Sequence, residues 1–390
     1  MKKVNKDGMR QNNIRLVYET IYRNEGITRT QLVEKTRMSD MTVGRTVDFL
    51  LKNDLISDKP NENTSDVGRP ASRLFLSHRF VNVGVSLDPG GVFIGMVDSY
   101  GNVLHFSEQR FLPESLDPTE ALGIVAALIE RFIDEHVPEG LHTIGVVVPG
   151  LVDCRNGLVR LSPQLGWTDI PVLEILKGHP NLPNVALDND IKARALGENR
   201  FGSEEERRCS VLLNIGSGIG AGIVIDGEIY RGKENYAGEI GHTALSMSDR
   251  ICKCGRKGCI EAIFSQPAIL REARTIAPDI KDIAGIEAAY AQGETWARAL
   301  LDMTTEGILA VIRILAHTYA PDANVLCGSL IDQCSVLRDK ILELCKGQHS
   351  EMFNNLFDLE FSKFGPNGNL IGAAAIAFDY NIMHYIVGAK

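Results

Sequence analysis

The chain has 390 residues, 44% of them hydrophobic and 23% charged, enough apolar content for a large core and a length that calls for two or three domains. Its N-terminus is polar and charged, and nowhere do about 18 apolar residues run together, which argues against a secretory signal or a spanning helix and makes a cytoplasmic protein the expectation. The net charge of −9 is unevenly spread: residues 1–80 carry 15 Lys and Arg against 10 Asp and Glu, while the rest has a net charge of −14, so the front end points mildly to a polyanion.

In the first eighty residues, Ile14, Val17, Tyr18 and Ile21 recur at helical spacing and Gly26 closes the helix. A second helix over TRTQLVEKT has Thr28 or Thr30 as its cap. After a three-residue turn, Ser39 caps a third helix, DMTVGRTVDFLLKN, whose buried face is Val43, Val47, Leu50 and Leu51. Met41, Thr42, Arg45 and Thr46 are then expected to point largely outward near its start. This is a helix-turn-helix able to enter a major groove, with Arg45 suited to guanine and the threonines to phosphate or thymine methyl. LISD and SRLFLS flank a turn-rich tip and read as a wing, in which Arg69 of Gly68-Arg69-Pro70 suits a narrow minor groove. A trihelical protein-docking module is the alternative, and Asp40 counts mildly against DNA.

From residue 81 the pattern turns to strands: VNVGVSLD, GVFIGMVDSYG and GNVLHFSEQRF form a meander, followed by the helix TEALGIVAALIERFIDEHV and a buried strand ending in Pro149-Gly150. Asp188, Asn189 and Asp190 sit where a strand opens a helix, a junction that lines clefts in α/β folds. Gly216, Ser217, Gly218 and Gly220 make a glycine-rich turn that suits either a phosphate or other polar ligand, or simply a tight hairpin.

Five of the eight cysteines are scattered and read as reduced, small, buried residues. The other three, in ICKCGRKGCIE, stand just after His242, and Cys252, Cys254, Cys259 and His242 make a Cys3His set of the kind that closes tetrahedrally on zinc. With four protein ligands no position remains for an activated water, so this Zn2+ is expected to be structural. C-x-C-x4-C lacks the C-x-x-C spacing of a redox pair.

GVVVPG at 145–150, the DND triplet, NIGSGIGAGIVIDGEIYRG, AGEIGH at 237–242, CKCGRKGCIE and NLIGAAAIA occur in the order found in the ROK family (repressor, open reading frame, kinase), which residues 81–390 resemble throughout. The N-terminal winged helix is similar to that of its repressor branch. The resemblance implies an α/β fold: a winged helix-turn-helix over 1–80, then a two-lobed actin-like (ribonuclease H-like) sugar-kinase fold. Its small lobe would comprise 81–187 with 371–390, and its large lobe 188–370 with the zinc loop. It implies zinc on His242 and the three cysteines, and sugar hydroxyls held by Asn189, Asp190, Glu239, His242 and Glu261. In the kinases the aspartate matching Asp190 is the base.

Family kinases also carry an Asp and a Gly-Gly-Thr-type phosphate loop in the first strand pair. Here Ser86, Asp88, Pro89, Gly90 and Gly91 stand instead, so phosphoryl transfer is expected to be lost and Asp190 to be vestigial. The resulting expectation is a DNA-binding repressor of carbohydrate genes, a homodimer or homotetramer on double-stranded operator DNA, sensing a sugar or sugar phosphate. Control by a sugar-transporter subunit and a working sugar kinase with a DNA-binding arm are the alternatives.

Overall fold

The computed structural model describes residues 6–60, 72–77, 80–110, 116–138, 143–203, 205, 207–245, 248–347 and 358–381. The N-terminal segment consists of α1 (Lys6–Arg23), β1 (Ile27–Thr28), α2 (Arg29–Thr36), α3 (Asp40–Lys52), β2 (Ile56–Lys59) and β3 (Arg73–Leu76). Thr28 starts α2 with a reciprocal capping box to Gln31, Arg37 ends it in the left-handed region, and the Ser39 hydroxyl accepts from the Thr42 N–H to start α3. The three helices bury Ile14, Ile21, Leu32, Val47 and Leu50. β3 lies between β1 and β2, antiparallel to both, in the arrangement of a wing.

The meander follows as β4 (Val81–Asp88), β5 (Gly91–Asp98) and β6 (Val103–Arg110), then α4 (Pro118–His136) and β7 (Thr143–Val148). A three-stranded antiparallel sheet is made by β8 (Leu151–Asp153), β9 (Leu158–Ser162) and β10 (Trp167–Ile170). Next come α5 (Val172–Lys177), β11 (Asn184–Asn189), α6 (Asp190–Phe201), β12 (Cys209–Ile215), β13 (Ile219–Ile225) and β14 (Glu228–Ile229). The chain continues through α7 (Ile260–Phe264), α8 (Gln266–Ile276), α9 (Ile283–Ala291), α10 (Thr295–Tyr319), β15 (Ala323–Cys327), α11 (Ser329–Gln333), α12 (Ser335–Gly347), β16 (Leu359–Phe361) and α13 (Gly368–Tyr380).

Two five-stranded sheets carry the body, in the orders β11-β7-β4-β5-β6 and β14-β13-β12-β15-β16. The second is mixed: β12 pairs antiparallel with β13 and parallel with β15, which pairs parallel with β16. The fold is thus α/β, a helical segment with a small antiparallel sheet followed by the two mixed sheets of an actin-like kinase fold. β4 and β5 are apolar and buried almost throughout, whereas β6, at the sheet edge, is mostly exposed. Among the described residues no helix is long and apolar enough to cross a membrane.

The chain divides into two compact units, one of Met1–Val146, Val172–Leu187 and Ala373–Lys390, the other of Val147–Pro171 and Asp188–Gly372. In the first, the N-terminal helices do not stand apart from the sheet. Phe378 of α13 is buried in their core, its ring centroid 4.8 Å from Tyr18 of α1 and 5.6 Å from Phe80 ahead of β4. In the second, α7 and α10 close around an apolar core that includes Leu213, Ile260, Ile308 and Ile312.

Removing a buried aromatic ring costs about 3–5 kcal/mol. Phe378→Ala is therefore expected to lower stability by about that amount, read from urea unfolding; a loss below about 1 kcal/mol would mean that α13 does not anchor the N-terminal helices.

Candidate functional site

The site is built on the turn from β11 into α6. Asn189 caps the helix: its Oδ1 accepts from the Lys192 N–H at 2.9 Å, while its Nδ2 donates to Gly150 O at 2.9 Å and to Asp190 Oδ1 at 3.0 Å. An amide has two donors and two lone pairs, so only one lone pair of Asn189 remains for a ligand. Asp188, one residue earlier, points the other way and is held by Arg231 through two bonds of 2.9 and 2.6 Å. Asp190 is partly buried. That burial pushes its carboxyl up to about 6, against the opposing pull of the Ile191 N–H and the Lys192 charge.

Glu239 lies on the segment that leads to His242. Gly238 is required there: its φ is +87°, and a Cβ would sit 1.9 Å from Ala221 O of β13. The Gly238 carbonyl in turn accepts from the Ala221 N–H at 2.8 Å, so the segment is laid directly on the strand. Burial raises the Glu239 carboxyl above its ordinary range, and Lys192 Nζ lies 3.7 Å from its Oε1. Lys192 was not legible as a site residue. Its side chain is only 3% exposed, and the one sequence signal is a lysine on the first turn of a helix that opens with an acidic residue.

The glycine-rich turn is the tip of the β12–β13 hairpin, with Ile215 opposite Ile219. The Gly216 N–H donates to Gly218 O at 3.0 Å, the Gly216 carbonyl accepts from the Gln266 N–H at 2.8 Å, and Ser217 is exposed. The Ile219 N–H donates to Glu261 Oε2 at 3.1 Å, which brings Glu261 of α7 to the tip. Gly220 lies within β13, paired with Asn214.

Glu261 is two residues beyond Cys259, and Cys259 belongs to the cluster that the cysteine spacing predicted. The ligand atoms of His242, Cys252, Cys254 and Cys259 all lie within 4.8 Å of one another. Cys252 Sγ is 3.6 Å from His242 Nδ1, and Cys254 Sγ is 3.6 Å from Cys259 Sγ. A tetrahedron of Zn–S bonds near 2.3 Å has edges of about 3.8 Å, so the four groups fit such an ion. Left alone, they do not fit three thiolates: burial pushes the Cys259 thiol up to about 12 and raises Cys252 as well. A cation reverses that. Gly255 and Gly258 adopt positive φ at the turns of this knuckle. The group is able to hold a metal, as in the ROK zinc motif.

On α3, Arg45 is exposed, and the Thr42 hydroxyl is 2.9 Å from Ser39 Oγ beside it. Thr46 corrects the sequence reading: it is 7% exposed and its hydroxyl donates to Thr42 O at 2.8 Å. Positions 43, 46, 47 and 50 share one helical face, so Thr46 turns inward with Val43, Val47 and Leu50. Arg69 lies outside the described residues.

The ROK family matches residues 85–379. This chain belongs to that family. Among ROK proteins, the xylose repressor of Caldicellulosiruptor bescii is 33% identical over 67% of this chain and 66% of its own length, and that of Bacillus subtilis 27% identical over 94% and 95%. A Thermotoga maritima glucokinase is 25% identical over 75% of this chain and 96% of its own. The crystal structure of a ROK family transcriptional regulator, a homologue of the E. coli MLC protein, superposes with a TM-score of 0.79 and 25% identity, covering 98% of this chain and all of that one. The ROK kinase thus lacks a counterpart for part of the chain that the regulators match.

Cys259→Ser is expected to abolish stoichiometric metal binding, measured by elemental analysis of the purified protein, and to lower Tm. A variant that keeps one metal per chain and its Tm would remove Cys259 from the ligand set.

Proposed function

We propose that the chain is a DNA-binding transcriptional regulator, a cytoplasmic repressor of carbohydrate uptake or metabolism genes whose second unit senses a sugar. The observation that carries this reading is the union in one chain of a helix-turn-helix with Arg45 exposed and Thr42 half-buried beside it and a polar constellation of Asp190, Glu239, His242 and Glu261. Carboxylates accept paired hydroxyl hydrogens, and His242, with Nδ1 toward the sulfurs, keeps Nε2 for a ligand. The full-length likeness to xylose repressors supports the same conclusion. A homodimer or homotetramer would set two recognition helices on a palindromic operator.

Zn2+ on His242, Cys252, Cys254 and Cys259 would neutralise the thiolates and cross-link a segment poor in apolar residues. The chain's own residues do the rest: Cys259 leads directly into α7, so fixing it holds Glu261 against the Ile219 N–H.

A pseudokinase reading is supported by the β4–β5 turn. Asp88 pairs with Gly91 across two residues, and the Asp88 carboxylate accepts the Gly90 N–H at 2.6 Å. Pro89 has no N–H, so the turn offers a phosphate a carboxylate in place of donors. The kinase alternative retains one favourable observation, an Asp190 carboxyl near 6 that is mostly ionised at pH 7 and suited to act as a base.

With ATP, Mg2+ and a hexose and pentose panel, a coupled assay is expected to show no turnover; a rate near about 10 s−1, typical of enzymes, would favour the kinase. Arg45→Ala is expected to lose about 1–3 kcal/mol of operator discrimination, measured as the specific-to-nonspecific affinity ratio, and an unchanged ratio would remove Arg45 as a base reader. Operator release by a transporter protein, with no thermal shift from any sugar, would replace the small-molecule effector with a protein partner.

A further inference from the structure

We propose that Gly44 and Met41 of α3 are specificity-determining residues for DNA, and that together they form an apolar slot that receives the 5-methyl group of a thymine in the operator. This inference rests on the DNA-binding reading and deepens it by naming a base. It starts from a residue that the interior of the protein does not explain. Gly44 lies within α3, where glycine is less favourable than alanine. Its backbone is right-handed helix and it is not among the glycines of positive φ. A Cβ built on it would meet nothing within 4 Å. Other helical glycines have a reason in the fold: a Cβ would lie 2.2 Å from the Phe264 ring at Gly307, and 2.4 Å from the Ala193 carbonyl carbon at Gly372.

Open space alone does not mark a contact, since Gly123 of α4 has it too. Gly44 differs in what surrounds it. Residues 41, 44, 45 and 48 share a face of α3 turned away from the buried Val43, Val47 and Leu50. On that face Met41 is 66% exposed and Arg45 is exposed. The Asp48 carboxylate, which by itself would repel a phosphate, is paired with Arg29 at 2.7 Å. A large apolar side chain left in water thus borders a gap whose floor is backbone. The flank of that gap is cationic, because Arg45 follows directly and residues 1–80 carry 15 Lys and Arg against 10 Asp and Glu.

A methyl group carried on a polyanion satisfies both features, and of the four unmodified bases only thymine presents a methyl in the major groove. That groove is about 12 Å wide and a helix with its side chains about 10–12 Å across, so a position without a side chain lets the helix lie deeper. The flexible thioether of Met41 can then close on the methyl group, and Arg45 is carried toward guanine.

The test uses the full chain and a duplex selected by it from randomised sequence. Each thymine of that duplex is replaced in turn by deoxyuridine, which removes only the methyl group. At one thymine the replacement is expected to weaken binding about fourfold, the worth of one buried methyl. Met41→Ala is expected to bind the thymine and uracil duplexes equally. Gly44→Ala is expected to raise the Tm of the free protein, since alanine is the better helix former and its methyl meets no neighbour. The same change should weaken the selected duplex about tenfold, as the helix is held off and a base contact is lost, and leave random-sequence DNA nearly unaffected. A purely structural role for Gly44 would not move stability and recognition in opposite directions. Wild-type or tighter binding by Gly44→Ala, or a full uracil penalty retained by Met41→Ala, would overturn the proposal. Should either variant not fold, the deoxyuridine scan on the unaltered chain still decides: a selected duplex indifferent to every thymine methyl sinks this inference alone. If the unaltered chain selects no duplex, the DNA-binding reading itself fails and this inference falls with it.

Discussion

The capped turn from β11 into α6 is the constraint on which the site depends. Strand alternation and the Asn189 cap send consecutive residues to different tasks: Asp188 into the ion pair with Arg231, Asn189 onto the Lys192 N–H, and Asp190 beside the charges of Lys192 and Glu239. The helix can hold this position only because its neighbours come close. A Cβ on Gly372 of α13 would lie 2.4 Å from the Ala193 carbonyl carbon, so backbone meets backbone where any side chain would push α6 away. Asp190 and Lys192 are placed by that contact.

Charged groups in this region are buried as linked sets. Arg194 donates to Ser362 Oγ at 3.0 Å and to Gly365 O at 2.9 Å, Ser362 bonds Glu198, and Arg207 pairs with Glu360 at 2.6 Å. Such pairs contribute little net stability once desolvation is counted, but losing one partner strands the other, so they favour a single arrangement. The metal-binding knuckle uses the same logic with a stronger partner. A metal there would fix the Cys259 end of α7, and Glu261 follows in the helix's first turn.

The N-terminal helices depend on the far end of the chain in a comparable way. Phe378 sits among their core residues against Tyr18, so the last described helix completes a module that begins at the first. A small three-helix unit with a short sheet buries a modest apolar area by itself, and a borrowed aromatic ring adds to it.

Local patterns were legible wherever chemistry or periodicity is repeated at short range. Ser39 announced the cap of α3, Thr28 was one of two candidates for that of α2, the alternation and turn residues announced β4 to β6, and C-x-C-x4-C after His242 announced a group able to hold a metal. Thr46 misled because a polar residue was placed outward by type, whereas its hydroxyl finds a partner in its own helix and the residue is buried. Lys192, the Glu261 contact with Ile219 and the seat of Phe378 were not legible, since each joins segments 42 residues or more apart in sequence, or buries a residue type that composition assigns to the surface. The sequence by itself determined which residues could bind a metal, accept hydroxyls or meet DNA. Only the tertiary structure decided which of their donors and acceptors are already engaged with each other, because that depends on close approaches between distant segments that no local spacing encodes.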